Sequence, residues 1–297
     1  TGAINSPYGV TVANFPQSLE ITDNDGATLS ISNATVTEGQ SGTTTISFNV
    51  TLDKATGKPF TVNYSTADGS ARVADNDYIA LSDTLNFSGT QPEIKTISIT
   101  VKGDRKVEGD ETFTVNLNGH NFNNTLTIPV GGASAFGTIQ NDDSAVIRIT
   151  SVDGSETGPS AASFLFSFPQ GVTVNEDTKI EYSLSGVAQN GLDYTGSLTG
   201  TIVIPANTDS IRLTLPVVAD QVAEDTESLI ITTGSVTTNY GVSVDNPVAS
   251  LNIYDKDQAM LTLSGPASVT ESNGLQEVQF ILTLDKATAG SFKVNYR

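Results

Sequence analysis

At 297 residues the chain exceeds one β-sandwich of roughly 100 residues and suits two or three, with 37% hydrophobic residues to build their cores. Thirty-three acidic residues against 14 basic ones give a net charge of -19, a field that repels nucleic acid and anionic lipid and attracts cations. With no cysteine, disulfides, thiol catalysis and thiolate metal sites are excluded, and no apolar run approaches the ~20 residues of a membrane span.

In chain order, an acidic segment LEITDND (19–25) is followed by ISNATVTEG (31–39), a short strand ending on Glu38. The run TTTISFNVTLD (43–53) places Ile46, Phe48, Val50 and Leu52 on one parity with polar residues between them. The same alternation puts Ile97, Ile99 and Val101 together in 93–103, and Phe113, Val115 and Leu117 in 111–118. Period-2 runs rich in Thr, Val, Ile and Phe predict strands with one buried face. Turn clusters such as GQSG (39–42) and DKATGK (53–58) separate them, and no stretch has helical periodicity. An all-β chain of tandem antiparallel, immunoglobulin-like sandwiches is expected.

The chain also repeats itself. ISNATVTEG (31–39) returns as ITSVDGSETG (149–158) and LSGPASVTES (263–272), with Glu38, Glu156 and Glu271 in register. VTLDKATGKPFTVNY (50–64) returns as LTLDKATAGSFKVNY (282–296), and GDRKVEGDETFTV (103–115) as ADQVAEDTESLII (219–231). LEITDND (19–25), GTIQNDD (137–143) and LNIYDKD (251–257) are equivalent repeat ends. The expected organisation is the tail of one repeat (1–25), two complete repeats (26–143 and 144–257) and the first part of another (258–297). The joins are short and acidic, which predicts stiff coupling in an extended array.

Acidic residues of the first complete repeat fall at strand ends: Glu38, Asp77, Asp104, Glu108, Glu111, Asp142 and Asp143. In a seven-stranded sandwich the A–B, C–D and E–F turns and the chain end can share one pole. Seven carboxylates gathered there would raise one another's pKa unless a cation intervened. Ca2+ takes about six to eight oxygens from flexible loops, whereas Mg2+ wants a tight octahedron and Zn2+ or copper wants His or Cys. Ca2+ is the cation this pattern suits. The second repeat offers Glu156, Asp193, Asp220, Glu224, Glu227, Asp255 and Asp257, but Lys256 stands where the first has Asp142. That lysine is expected to offset about one carboxylate and weaken the second site. Asp23 and Asp25 in the first repeat end, and Glu271 in the last segment, are parts of further clusters.

Other features have plainer readings. Asp68 is a turn residue, Tyr78 and Tyr194 are core plugs, Asp110 and Asp225 face water, and His120 is a surface loop histidine. DNDG (23–26) begins like an EF-hand loop but lacks a Glu at the twelfth position and flanking helices. Acids that recur in every repeat argue against a single catalytic cleft, so no enzyme is expected.

Taken together, VTEG (36–39), ADGSARVADNDY (67–78), the GDRKVEGDE loop (103–111) and TIQNDD (138–143) resemble the Calx-beta domain family, known from sodium–calcium exchangers, an integrin subunit and large bacterial surface proteins. The resemblance runs through every repeat in phase. It implies that the seven acids of the first repeat bind Ca2+ at the domain junction, with the carbonyl of Lys106 as a further ligand. It also implies a structural or adhesive module of a large extracellular or cell-surface protein. The expected partners are neighbouring repeats and other surface or matrix molecules, with no nucleic acid and no membrane span in this segment. A Ca2+-sensing regulatory domain and a metal-free fibre subunit are the alternatives.

Overall fold

The computed structural model describes residues 7–9, 18–19, 26–121, 126–127 and 133–297. The 1–25 segment with Asp23 and Asp25 therefore lies almost wholly outside the described residues. Every regular element among the described residues is a strand, and no helix is long and apolar enough to cross a membrane.

The first sandwich comprises β1 (Ala27–Ile31), β2 (Ala34–Thr37), β3 (Gly42–Leu52), β4 (Phe60–Ala67), β5 (Ser82–Phe87), β6 (Glu93–Gly103), β7 (Lys106–Val107), β8 (Glu111–His120), β9 (Leu126–Thr127) and β10 (Ser134–Gln140). The second comprises β11 (Ala145–Val152), β12 (Gly154–Ser155), β13 (Ala162–Ser167), β14 (Thr173–Val174), β15 (Thr178–Gly186), β16 (Thr199–Ile204), β17 (Ser210–Leu215), β18 (Glu227–Thr237), β19 (Val242–Val244) and β20 (Val248–Tyr254). A hairpin-like pair, β21 (Leu261–Ser264) and β22 (Ile281–Leu284), follows.

Each sandwich packs a four-stranded sheet on a five-stranded one: β6-β3-β1-β9 on β2-β10-β8-β4-β5, then β17-β13-β11-β19 on β12-β20-β18-β15-β16. The predicted alternation is the buried face: Ile46, Phe48, Val50 and Leu52 of β3, Ile97, Ile99 and Val101 of β6, and Phe113, Val115 and Leu117 of β8 share one core. Phe113 stacks on Tyr78 with ring centroids 4.4 Å apart and meets Phe48 edge-on at 6.0 Å. Gly137 of β10 lies beneath these rings, where a Cβ would come within 2.6 Å of Phe113, so only glycine fits. Tyr78 and Tyr194 are core plugs, as expected. The Tyr78 hydroxyl donates to Asp68 Oδ1 at 2.6 Å, and Asp68 also accepts the Val73 amide, so Asp68 is a turn residue.

The sandwiches are antiparallel except at their first strand, which is divided between the two sheets. β1 pairs antiparallel with β3 and parallel with β9, whereas β2 crosses to the other sheet and pairs parallel with β10. The same division recurs in β11 and β12, which pair parallel with β19 and β20. This crossing carries Glu38 and Glu156 to one end of each sandwich. The Glu38 amide donates to the Gln140 carbonyl, and the Glu156 amide to the Tyr254 carbonyl, at the start of each terminal acidic segment.

Candidate metal centre

All seven predicted acids of the first sandwich lie at one pole. Glu38 follows β2, Asp77 lies in the β4–β5 loop, Asp104, Glu108 and Glu111 surround β7, and Asp142 and Asp143 follow β10. Within this pole Glu38, Asp142 and Asp143 bring carboxylate oxygens within 4.8 Å of one another, as do Asp77, Glu108 and Glu111. Glu38 joins the two groups, because Asp104, Glu108, Asp143 and Asp142 all act on its charge. Glu38, Asp77, Glu108 and Asp143 are buried, which is unusual for carboxylates.

Main-chain hydrogen bonds aim these groups. Asp77 Oδ2 accepts the Arg72 amide at 2.7 Å, and Asn76, with φ of 75°, makes the sharp turn just before it. Asp104 Oδ1 accepts the Lys106 amide at 2.8 Å, and Asp142 Oδ1 accepts the Gly39 amide at 3.1 Å. Each of these carboxylates thus has one oxygen anchored by the backbone. The resemblance implied the carbonyl of Lys106 as a ligand; the structure places the ammonium of the same residue in the pole, 2.5 Å from Glu108 Oε2. Burial works against that ammonium, yet Glu108, Asp77 and Glu111 hold its pKa above the ordinary lysine value.

The second pole repeats this plan with Glu156, Asp193, Asp220, Glu224, Glu227, Asp255 and Asp257. Oxygens of Glu156, Asp193 and Glu224, and of Glu156, Asp255 and Asp257, fall within 4.8 Å of one another. Asp193 Oδ2 accepts the Gln189 amide and Asp220 Oδ1 the Val222 amide, matching Asp77 and Asp104. Asp255 differs from Asp142, since its two oxygens accept the Asp257 and Glu224 amides, both at 2.6 Å. It does the work of Asn141, whose Oδ1 accepts the Asp143 amide at 3.3 Å. Lys256, expected to offset a carboxylate here, is exposed and makes no ion pair among the described residues. The ammonium at this pole comes instead from Lys286 of the following segment, which pairs with Asp257.

Two further acids were singled out by the sequence. Asp110 is exposed, but its Oδ1 accepts the Asn141 amide at 3.2 Å and so ties the E–F loop to the repeat end. Glu271 is exposed in the last segment and joins no cluster among the described residues.

Sequence reasoning missed the connection between neighbours. β7 pairs in parallel with β14 of the second sandwich, Thr173 opposite Lys106 and Val174 opposite Val107, and the Asn175 amide donates to the Val107 carbonyl. The Val107 side chain is fully buried in the core of the second sandwich, with Val172 and Val174. Tyr240 lies against Gly109, and Arg105 donates to the Gln170 carbonyl. The next join is alike: Ala223, the counterpart of Val107, accepts the Ala289 amide and donates its own amide to the Ala287 carbonyl. Each acid-bearing E–F loop is therefore also the strand on which the next unit docks. The sequence signal was a lone valine amid charges in KVEGDE (106–111).

Burial is the main cause of the electrostatic load, followed by neighbouring carboxylates. The Glu38 carboxyl is pushed up to about 8 and Glu111 to about 8, beside Asp77. Asp143 rises to about 6, and in the second pole Glu156 and Glu227 rise to about 7. All five exceed their unfolded values near 4, so the folded metal-free chain binds more protons than the unfolded one. That stabilisation is complete below about pH 4 and is lost progressively as pH rises from there through about 6 to 8. In metal-stripped buffer, thermal melts should accordingly show the melting temperature falling between pH 5.5 and 8.5; a flat or rising curve would contradict the clustering.

The donor chemistry suits a hard cation. Asp143 Oδ2, Glu156 Oε2 and Glu227 Oε2 are buried without a hydrogen-bond partner, an arrangement that costs stability unless something fills it. Every side-chain donor is a carboxylate oxygen on a loop or strand end, as Ca2+ prefers.

No curated protein matches the chain. The crystal structure of CBD12 from CALX1.2 is similar to it at 17% identity, over 76% of this chain and 100% of that one, with a TM-score of 0.34. That of the calcium binding domain CBD12 of CALX1.1 has 18% identity over 76% and 98%, with a TM-score of 0.33. The apo form of the Calx CBD1 domain has 24% identity over 40% and 100%, with a TM-score of 0.32. The family model of the Calx-beta domain matches residues 22–143 and 169–257, more than half of the sequence, and the chain therefore belongs to the Calx-beta domain family.

Proposed function

We propose that the chain is a Ca2+-binding structural and adhesive module of a large extracellular or cell-surface protein, in which the ion fixes the junction between successive sandwiches. The observation that carries this reading is the shared use of one loop. Asp104, Glu108 and Glu111 bring charge to the pole, while Lys106 and Val107 between them pair with the next sandwich. A cation held by Glu38, Asp77, Asp104, Glu108, Glu111, Asp142 and Asp143 would neutralise the pole and restrain the loop on which the neighbour is seated. The second set comprises Glu156, Asp193, Asp220, Glu224, Glu227, Asp255 and Asp257. When bound, the ion supplies charge neutralisation and coordination; the chain supplies anchored oxygens and a docking strand. This is a binding role without catalysis. In the same reading, residues 1–25 and 258–297 belong to adjoining repeats, and other surface or matrix molecules are the outside partners.

Isothermal titration of the metal-stripped chain with CaCl2 tests this, with MgCl2 beside it. Binding with Kd of ~10⁻⁴–10⁻³ M suits an extracellular structural module, whereas ~10⁻⁷–10⁻⁵ M would favour a sensor. No Ca2+ heat at millimolar concentration would leave the metal-free fibre reading in its place.

A further inference from the structure

The two poles resemble each other in their acids and differ in where their counter-charge originates. At the first, Arg105 and Lys106 belong to the E–F loop itself, and the docking loop of the second sandwich, PQGVTVNED (169–177), has no basic residue. At the second the arrangement is reversed. The E–F loop DQVAEDTE (220–227) has no basic residue, and the docking loop DKATAGS (285–291) brings Lys286. Main-chain bonds at Ala223 hold Ala287 and Ala289 beside that pole, so Lys286 is delivered by the pairing itself. Its ammonium meets Asp257 Oδ1, the acid that approaches Glu156 and Asp255.

We propose that Lys286 is a tethered cation that seats the following repeat on the second pole, so that the repeat and a divalent ion compete for Asp257. At the first pole no basic side chain of the neighbour pairs with an acid among the described residues, and ion and neighbour act together. This rests on the Ca2+ reading above and makes the joins unequal: the first is tightened by the ion, and the second is closed by an ammonium when the ion is scarce. Removing the lysine relieves competition and loosens the dock, two effects of opposite sign that simple charge screening at a distance would not produce together.

The test is a CaCl2 titration of the full chain beside K286Q and the charge-preserving K286R, with hydrogen exchange on metal-stripped samples. K286Q should tighten the weaker class of Ca2+ sites by roughly fivefold, the upper range for an exposed ion pair, and leave the tighter class unchanged. Without metal, it should speed exchange of the Ala223 and Ala289 amides, while K286R keeps wild-type behaviour in both. An unchanged or weakened second class with the first intact overturns the competition and spares the Ca2+ reading. Absence of Ca2+ binding in all three proteins overturns both, and unaltered exchange at Ala223 and Ala289 overturns the seating role.

Discussion

Ca2+ at ~10 mM should raise the melting temperature of the metal-stripped chain by about 10 °C, on the basis that an ion at ~100 times a Kd of ~10⁻⁴ M contributes about 2.7 kcal/mol to a sandwich of this size. The effect is large because the metal-free pole gathers buried like charges that Lys106 and Arg105 offset only in part. Glu38 and Asp143 are buried among like charges, and Asp143 Oδ2 has no donor. Glu108→Gln should abolish most of the shift, since Glu108 is 5% exposed, brings an oxygen within 4.8 Å of those of Asp77 and Glu111, and acts on the charge of Glu38. Asp75→Asn, an exposed acid two residues from Asp77, should leave the shift intact. Asp110 is a poor control despite its exposure, because its carboxylate holds the Asn141 amide. Equal melting with and without Ca2+ would sink the metal reading, and an equal loss in Asp75→Asn would reduce it to bulk charge.

Replacing Val107 with Asp should separate the two sandwiches without touching a ligand. The valine is fully buried, and its side chain lies in the core of the neighbour rather than in its own sandwich. Losing that burial costs about 1.5–3 kcal/mol, and a carboxylate would not re-enter an apolar site unpaired. The melting transition of the second sandwich should fall by roughly 5–10 °C. Calorimetry would measure this, with hydrogen exchange assigning each transition. Ca2+ affinity at the first pole should fall too, because Lys106 and Val107 anchor the loop that bears Asp104, Glu108 and Glu111. Unchanged stability of the second sandwich would show that the β7–β14 pairing carries no energy.

The strands were readable because a half-buried strand leaves a period-2 record, and Ile46, Phe48, Val50 and Leu52 left a clear one. The pole was readable because alternate turns of a sandwich fall at the same end, which brings Asp77 and Glu111 together from distant loops. What the sequence concealed were contacts with no periodic record. Lys286 lies in a loop whose repeat in 53–58 is obvious, yet nothing local says that such a loop reaches back to the preceding pole. Lys256 looked like the offending charge because it aligns with Asp142, but alignment fixes a place along the chain and not the direction of a side chain. Asp255 looked like a free ligand, although its oxygens cap two amides as Asn141 does with one. Two-residue strands such as β7 and β14 are too short for any pattern of alternation.

The divided first strand bears on how such a chain carries a mechanical load. β2 and β10 run in parallel over Ala34–Thr37 and Gly137–Gln140, so the entering and leaving strands of the first sandwich point the same way. Tension on the two ends slides these strands past each other and strains their hydrogen bonds together, instead of peeling them one at a time as in an antiparallel hairpin. The corresponding contact in the second sandwich spans only Gly154–Ser155 against Ile253–Tyr254. Under a pull the first sandwich has the longer shear clamp and the second the shorter.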